Sequence, residues 1–255
     1  MSMKTSAALA EKAIEENVGI LVEQAKACLQ KGQLAEAERM CAEGLQASPR
    51  HPDALYLLAA TQRYARLPLD ALVTTALLIE IDPGFGRAHQ ERGHCLRALG
   101  RTNEALASYQ AAVTYNMGLL ASWRILAELH EAAGRDELAG FARAQCAYLE
   151  SLPSELQSVI SLIHEHRIAK AENLCRAFLQ KNGHHIEGMR LLAEIGVKFN
   201  SYDDAEFLLE SCVVLEPENT NAHFDYVNVL HKRQKFGEAL EQAKVLRSKD
   251  RKSVV

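Results

Sequence analysis

Residues 87–115 read RAHQERGHCLRALGRTNEALASYQAAVTY, and this stretch decides the fold. Ala88, Cys95, Leu96 and Leu99 fall among the apolar positions of one helix, over 87–99. Gly100 ends it, because glycine reaches positive φ without a Cβ penalty. Asn103 to Tyr115 predicts a second helix, with Ala105, Leu106, Tyr109, Ala112 and Val113 at helical spacing. The two helices form an antiparallel hairpin. Gly93 lies twelve residues before Ala105. Small residues at both places let two backbones approach closely, and a larger side chain would overpack the contact at about 1–3 kcal/mol.

The same grammar repeats along the chain. Ala37, Ala71, Ala105, Ala139, Ala171, Ala205 and Ala239 are separated by 34, 34, 34, 32, 34 and 34 residues. Ala25, Ala59, Ala127 and Ala193 each lie twelve residues before their marker alanine, and Val159 and Val227 take that place in two units. Gly32 and Gly134 sit at hairpin turns. Pro49, Pro83 and Pro217 lie twelve residues after their alanines and break one hairpin from the next. A period of this length marks a stack of small units rather than one enlarged core.

This combination of two small positions, an aromatic slot and a closing proline resembles the tetratricopeptide repeat, over about residues 18–251. The resemblance implies an all-α fold: a right-handed superhelical solenoid of about seven helix-turn-helix units. Residues 1–17 are expected to form an extra N-terminal helix covering the first unit. Units one to four span 18–151, units five to seven span 152–246, and 247–255 are expected to be a disordered polar tail. The short interval after Ala139, with Leu149-Glu-Ser-Leu-Pro-Ser154, marks a joint between the two blocks. The fifth unit departs furthest, with His166 at its turn, Val159 at a small position and Gly183 in place of proline. No polar capping helix follows Leu246, so the chain is expected to be a fragment of something longer, or to self-associate through its C-terminal repeat face.

Composition narrows the function. The formal charge is −4, and the longest basic run is the tail Arg247-Ser-Lys-Asp-Arg-Lys-Ser253, so no nucleic-acid partner is expected. No apolar leader and no run long enough to span a bilayer occurs, which predicts a cytoplasmic protein with no membrane partner. The six cysteines are never closer than thirteen residues and read as buried thiols. His164 and His166 point to different helix faces, and His184 and His185 sit at a hairpin junction without zinc spacing. No phosphate loop, GxSxG elbow or HExxH pair is present. No catalytic residue, metal site or cofactor is therefore expected.

In the family that the chain resembles, the first helix of each hairpin lines the concave side. Mapped here, that lining gives a candidate peptide-binding set of Tyr56, Arg63, Tyr64, Arg87, Gln90, His94, Arg97, Arg124 and Glu128. Arginine forks onto carboxylates and tyrosine supplies rigid contact area, so the expected partner is a protein or peptide, acidic in character. The second block offers Arg190, Glu194, Phe224, Asn228, His231 and Lys232, a weaker set of mixed charge. One subclass of the family clamps the C-terminal carboxylate of chaperone tails. Val22, Lys26, Leu57, Arg87 and Glu91 preserve only fragments of that clamp. Residues 152–246 also resemble the repeat region of bacterial tetratricopeptide–sulfotransferase proteins, through Ala171-Glu-Asn-Leu-Cys-Arg176, Tyr202-Asp-Asp-Ala-Glu206, Leu215-Glu-Pro-Glu-Asn219 and Phe224-Asp-Tyr-Val-Asn-Val-Leu230. The leading expectation is a non-enzymatic interaction scaffold. The alternative is the recognition arm, or truncated N-terminal part, of such a transferase.

Overall fold

The computed structural model describes residues 2–253, with side chains described from Lys12 to Arg247. Fourteen helices and no strand occur among the described residues. They pair as seven hairpins: α1 (Ser2–Gln30) with α2 (Leu34–Ala47), α3 (Pro52–Tyr64) with α4 (Pro68–Ile81), α5 (Gly86–Ala98) with α6 (Thr102–Tyr115), α7 (Leu120–Ala132) with α8 (Asp136–Ser151), α9 (Ser154–His164) with α10 (Ile168–Lys181), α11 (Ile186–Lys198) with α12 (Tyr202–Leu215), and α13 (Thr220–Lys232) with α14 (Phe236–Ser253). The chain divides into two compact units, Met1–Tyr148 and Leu149–Val255.

Two terminal expectations change. Nothing interrupts α1 near residue 17, so the expected extra helix and the first helix of hairpin one are a single helix of 29 residues. Side chains of residues 6–11 lie outside the described set. At the other end α14 continues to Ser253, through most of the segment expected to be a disordered tail. At the short interval, α8 is two residues longer than α6 and α9 two residues shorter than α5, leaving only Leu152 and Pro153 between α8 and α9.

The seven marker alanines are all buried, six of them with no exposed surface. Each opens its second helix by donating its N–H to the carbonyl four residues earlier, from Ala37 to Gln33 through Ala239 to Lys235. The slot twelve residues upstream behaves differently from the expected backbone contact. At Gly93 the space is filled by the buried Tyr109 ring, and an added Cβ would stand 2.8 Å from Tyr109 Cε1. Gly93 faces a tyrosine, whereas the same pair of slots holds Ala25 with Cys41, Ala59 with Thr75 and Val159 with Cys175. The cores run on between hairpins: Ala193, Ala205 and Leu209 share one cluster with Tyr226, Leu230 and Ala239.

The hairpin turns share one geometry. Gly32, Arg66, Gly100, Gly134, His166, Asn200 and Gln234 all adopt positive φ, and each lies five residues before its marker alanine. The next residue donates back across the turn, as Arg101 N does to Leu96 O at 2.9 Å and Lys235 N to Leu230 O at 2.9 Å. This six-to-one bond satisfies a carbonyl that the helix end leaves free. Between hairpins, proline is dispensable. α6 and α10 stop at the same register as α2, α4 and α12, with Asn116 and Asn182 next in the chain. Asn116 Oδ1 accepts from Gly118 N at 3.0 Å and so shapes that turn.

A second recurring device ties these turns to the following helix. His89 Nε2 meets Pro83 O at 2.9 Å, Trp123 Nε1 donates to Met117 O at 2.9 Å, and His223 Nε2 meets Pro217 O at 2.8 Å. All three rings occupy the slot sixteen residues before the marker alanine. Carbonyls only accept, so both histidines carry their proton on Nε2. Two further histidines cap helices. His51 Nδ1 accepts from Ala54 N, and His185 Nδ1 from Gly188 N, each at 3.3 Å.

Two outcomes follow. A non-glycine residue at positive φ costs roughly 1–2 kcal/mol, so Gln234→Gly is expected to raise the melting temperature, with Gln234→Val lowering it in the same thermal-unfolding experiment. Gly93→Ala is expected to cost about 1–3 kcal/mol through overpacking. Part of that loss should return in Gly93→Ala/Tyr109→Leu, measured as a double-mutant cycle.

Candidate functional site

The first helices of hairpins two to four place the nine expected residues, and α3 packs directly on α5. Tyr56 on α3 is half-buried, with its ring centroid 5.8 Å from that of Phe85 and 5.8 Å from the Arg87 guanidinium on α5. Further along α3, the Arg63 guanidinium bonds Glu91 on α5 through Nε, with a second contact of 3.4 Å from Nη2, and lies 4.2 Å over the Tyr64 ring. Arg97 on α5 reaches Glu128 on α7, Nη2 to Oε2 at 2.9 Å. Gln90 and His94, one turn apart on α5, approach to 3.4 Å, and His94 Nδ1 meets Tyr109 OH at 2.8 Å. Arg124 and Glu128 are exposed on α7. Side chains therefore link α3 to α5 and α5 to α7 along one strip.

These links divide the arginines into two kinds. Glu91 is buried, so its carboxylate depends on Arg63 for compensation. Burial works against the Arg63 charge, but the bond and charge of Glu91 outweigh it and hold the guanidinium above its ordinary pKa. Arg63 is thus committed to the fold. Arg97 and Glu128 are both exposed, and such a pair contributes only about 0–1 kcal/mol. It can exchange partners at little cost. Glu91 and Tyr109 were not among the expected residues. The signal for Glu91 was weak: Arg63 and Arg97 occupy the same slot of consecutive repeats, and each has a glutamate on the next first helix, 28 and 31 residues on.

The second unit holds a better-enclosed hollow than its mixed charge suggested. A cavity of about 480 Å³ between α11 and α13 is lined by Arg190, Glu194, Asn228, His231 and Lys232, among others. Phe224 is exposed and does not line it. Arg190 donates to Asp225 Oδ2 at 2.6 and 2.9 Å and to Glu187 Oε2 at 2.6 Å, so its charge is largely spent. Glu194 reaches solvent from the wall of this hollow, where desolvation by its surroundings raises its carboxyl pKa.

The positions of the chaperone-tail clamp are occupied otherwise, since Val22 and Leu57 are buried in the apolar core of hairpins one and two. Burial raises the Cys41 and Cys175 thiols to about 12 and the Cys95 and Cys212 thiols to about 11, so all four are neutral near pH 7. Among the described residues, no group of His, Cys, Asp or Glu is arranged to hold a metal ion, and no helix is long and apolar enough to cross a membrane.

Desolvation lowers the pKa of His94, with Glu91 opposing and Arg63 and Arg97 reinforcing the shift. Between that lowered value and the ordinary value of about 6.5, the unfolded chain takes up a proton that the folded chain resists. Stability from this group is therefore present above about pH 6.5 and declines as pH falls toward the folded-state pKa. His94→Gln is expected to lose less melting temperature than the wild type between about pH 7.5 and about pH 5, compared by thermal unfolding.

The tetratricopeptide repeat family model matches residues 86–116. No curated protein matches the chain. Similar solved structures include a tetratricopeptide repeat protein from Parabacteroides merdae ATCC 43184, at 15% identity over 91% of this chain and 93% of that one, with a TM-score of 0.45. The first TPR of Spaghetti (RPAP3), bound to the HSP90 peptide SRMEEVD, is 18% identical over 47% of this chain and 94% of that one, with a TM-score of 0.44. The MamA protein is 14% identical over 94% of this chain and 95% of that one, with a TM-score of 0.36. Hairpin three, α5 to Asn116, is the part of the chain that matches the tetratricopeptide repeat in sequence, and the other hairpins share its turn and its buried alanine.

Proposed function

We propose that the chain is a non-catalytic scaffold that binds an extended peptide or protein segment along α3, α5 and α7. One observation carries this reading: side chains of three successive first helices meet in a continuous strip, through Tyr56–Arg87, Arg63–Glu91 and Arg97–Glu128. The buried Arg63–Glu91 pair fixes neighbouring helices, while the exposed Arg97–Glu128 pair is open to exchange. An acidic ligand would take the place of Glu128 on Arg97, with Arg87 on α5 and Arg124 on α7 as the strip's other cations. The receptor is ordered before binding, so the ordering cost falls mainly on the ligand. The transferase-arm alternative rests on the resemblance of residues 152–246 and adds no residue to this strip. Self-association through the last hairpin has one supporting observation, the exposure of Phe236 and Leu240 on α14. Sedimentation of a Leu240→Glu variant against the wild type tests it.

The main test is an array of acidic and basic peptides probed with wild type and with Arg87→Glu/Arg97→Glu/Arg124→Glu. Acidic peptides should bind the wild type and lose at least about tenfold in affinity, or about 1.4 kcal/mol, on the variant, at an unchanged melting temperature. Equal binding by both proteins removes the strip as the ligand site.

A further inference from the structure

Helix α12 carries two apolar stripes where its hairpin needs one. Ala205, Leu209 and Cys212 are buried in the cores of hairpins six and seven. On another side of the same helix Phe207 is 70% exposed, Val214 71% and Leu215 48%. A helix that is apolar on two sides is expected to be covered on both. The repeat itself does not demand this second stripe. At the Phe207 slot, hairpins one, three, five and seven carry Arg39, Ala107, Asn173 and Glu241, while hairpins two and four carry the exposed Val73 and Phe141.

The surface around Phe207 is hollowed. A cavity of about 660 Å³ opens between α10 and α12, with Leu179, Met189, Leu192 and Leu208 in its wall. A second, of about 240 Å³, lies beside Phe207 next to Ile195 and Phe199. The charge at these hollows is one-sided. Their arginine, Arg176, is held by Glu172 at 2.8 Å. Asp204 and Glu210, three residues either side of Phe207, form no ion pair with a lysine or arginine among the described residues, whereas Asp203 and Glu206 are matched by Arg233 and Lys235. α12 from Tyr202 to Leu215 contains no lysine or arginine at all.

We infer that this face of hairpins five and six is a docking groove for a cationic amphipathic helix of another protein. Aliphatic side chains at helical spacing enter the hollows beside Phe207, and flanking lysines or arginines meet Asp204 and Glu210. Phe207 and Val214 are two turns apart, about 10 Å along the axis, which is the i to i+7 interval of such a ligand. A second copy docking through the same face would set these carboxylates against their own counterparts, a repulsive arrangement. The groove lies in the second unit and is independent of the strip on α3, α5 and α7.

The experiment titrates the full chain into two fluorescein-labelled amphipathic peptides with leucines at i, i+3, i+4 and i+7, one carrying lysines and the other glutamates on the polar face. The lysine peptide should bind, and more weakly as salt rises. Phe207→Ser, and separately Asp204→Lys/Glu210→Lys, should each weaken it by at least about tenfold. Val73→Ser, at the corresponding exposed slot of hairpin two, should leave it unchanged. Unaltered binding by the Phe207 or charge-reversed variants, or equal binding of the glutamate peptide, overturns the proposal. So does sedimentation showing a dimer that Phe207→Ser dissolves, because the groove would then serve a second copy. The charge-reversed variant changes only exposed side chains, so the test survives a folding defect in Phe207→Ser.

Discussion

Everything in this molecule depends on the closeness with which the two helices of each hairpin approach. Seven alanines open the second helices, and six have no surface left for water. At Ala205, the Cβ lies 3.6 Å from where a Cβ on Gly196 of the partner helix would stand. Interiors packed to this density relax little, so an added methylene is felt as strain. The neighbouring pair of slots shows the same constraint at Gly93, whose missing side chain leaves room for the buried Tyr109 ring. The short helices, of 11 to 16 residues apart from the terminal two, are marginal alone and are held by this packing.

The turns translate that closeness into repetition. Every first helix ends in a positive-φ residue, and every turn closes with the same six-to-one bond. Ring N–H groups of His89, Trp123 and His223 then pin the inter-hairpin turns to the helices that follow. Side chains on successive first helices are thereby presented at fixed intervals. The strip on α3, α5 and α7 is a consequence of that regularity, and Arg63 and Arg97 differ in availability because Glu91 is buried and Glu128 is not.

Much of the fold was legible in the sequence, because its governing constraint is local and periodic. The small-residue slots recur at a fixed spacing whatever surrounds them, and Gly32, Gly100 and Gly134 announce their turns. Asn200 tolerates that conformation, whereas Arg66 and Gln234 do not announce it: the bonds closing the turn hold them at positive φ. The continuity of α1 is not legible in the repeat spacing, because a repeat boundary need not be a helix boundary and no proline separates the two segments. Of the site, the residue types and their helices were legible but not their pairings. Arg63 with Glu91 and Arg190 with Asp225 join positions 28 and 35 residues apart, and only the packed fold brings them together. The exposed stripe of α12 was hidden for a related reason, because a helical period in Phe207, Leu208, Ser211 and Val214 reads like core until the core is seen to lie elsewhere.

Ala105 and Ala107 offer a direct comparison, being the same residue two positions apart on α6, the first buried and the second exposed. Thermal unfolding of Ala105→Arg and Ala107→Arg measures the packing constraint with composition and charge held constant. A large fall in melting temperature for Ala105→Arg alone is the expected result. Equal melting of the two variants would show that close contact at the alanine slot does not hold the hairpins together.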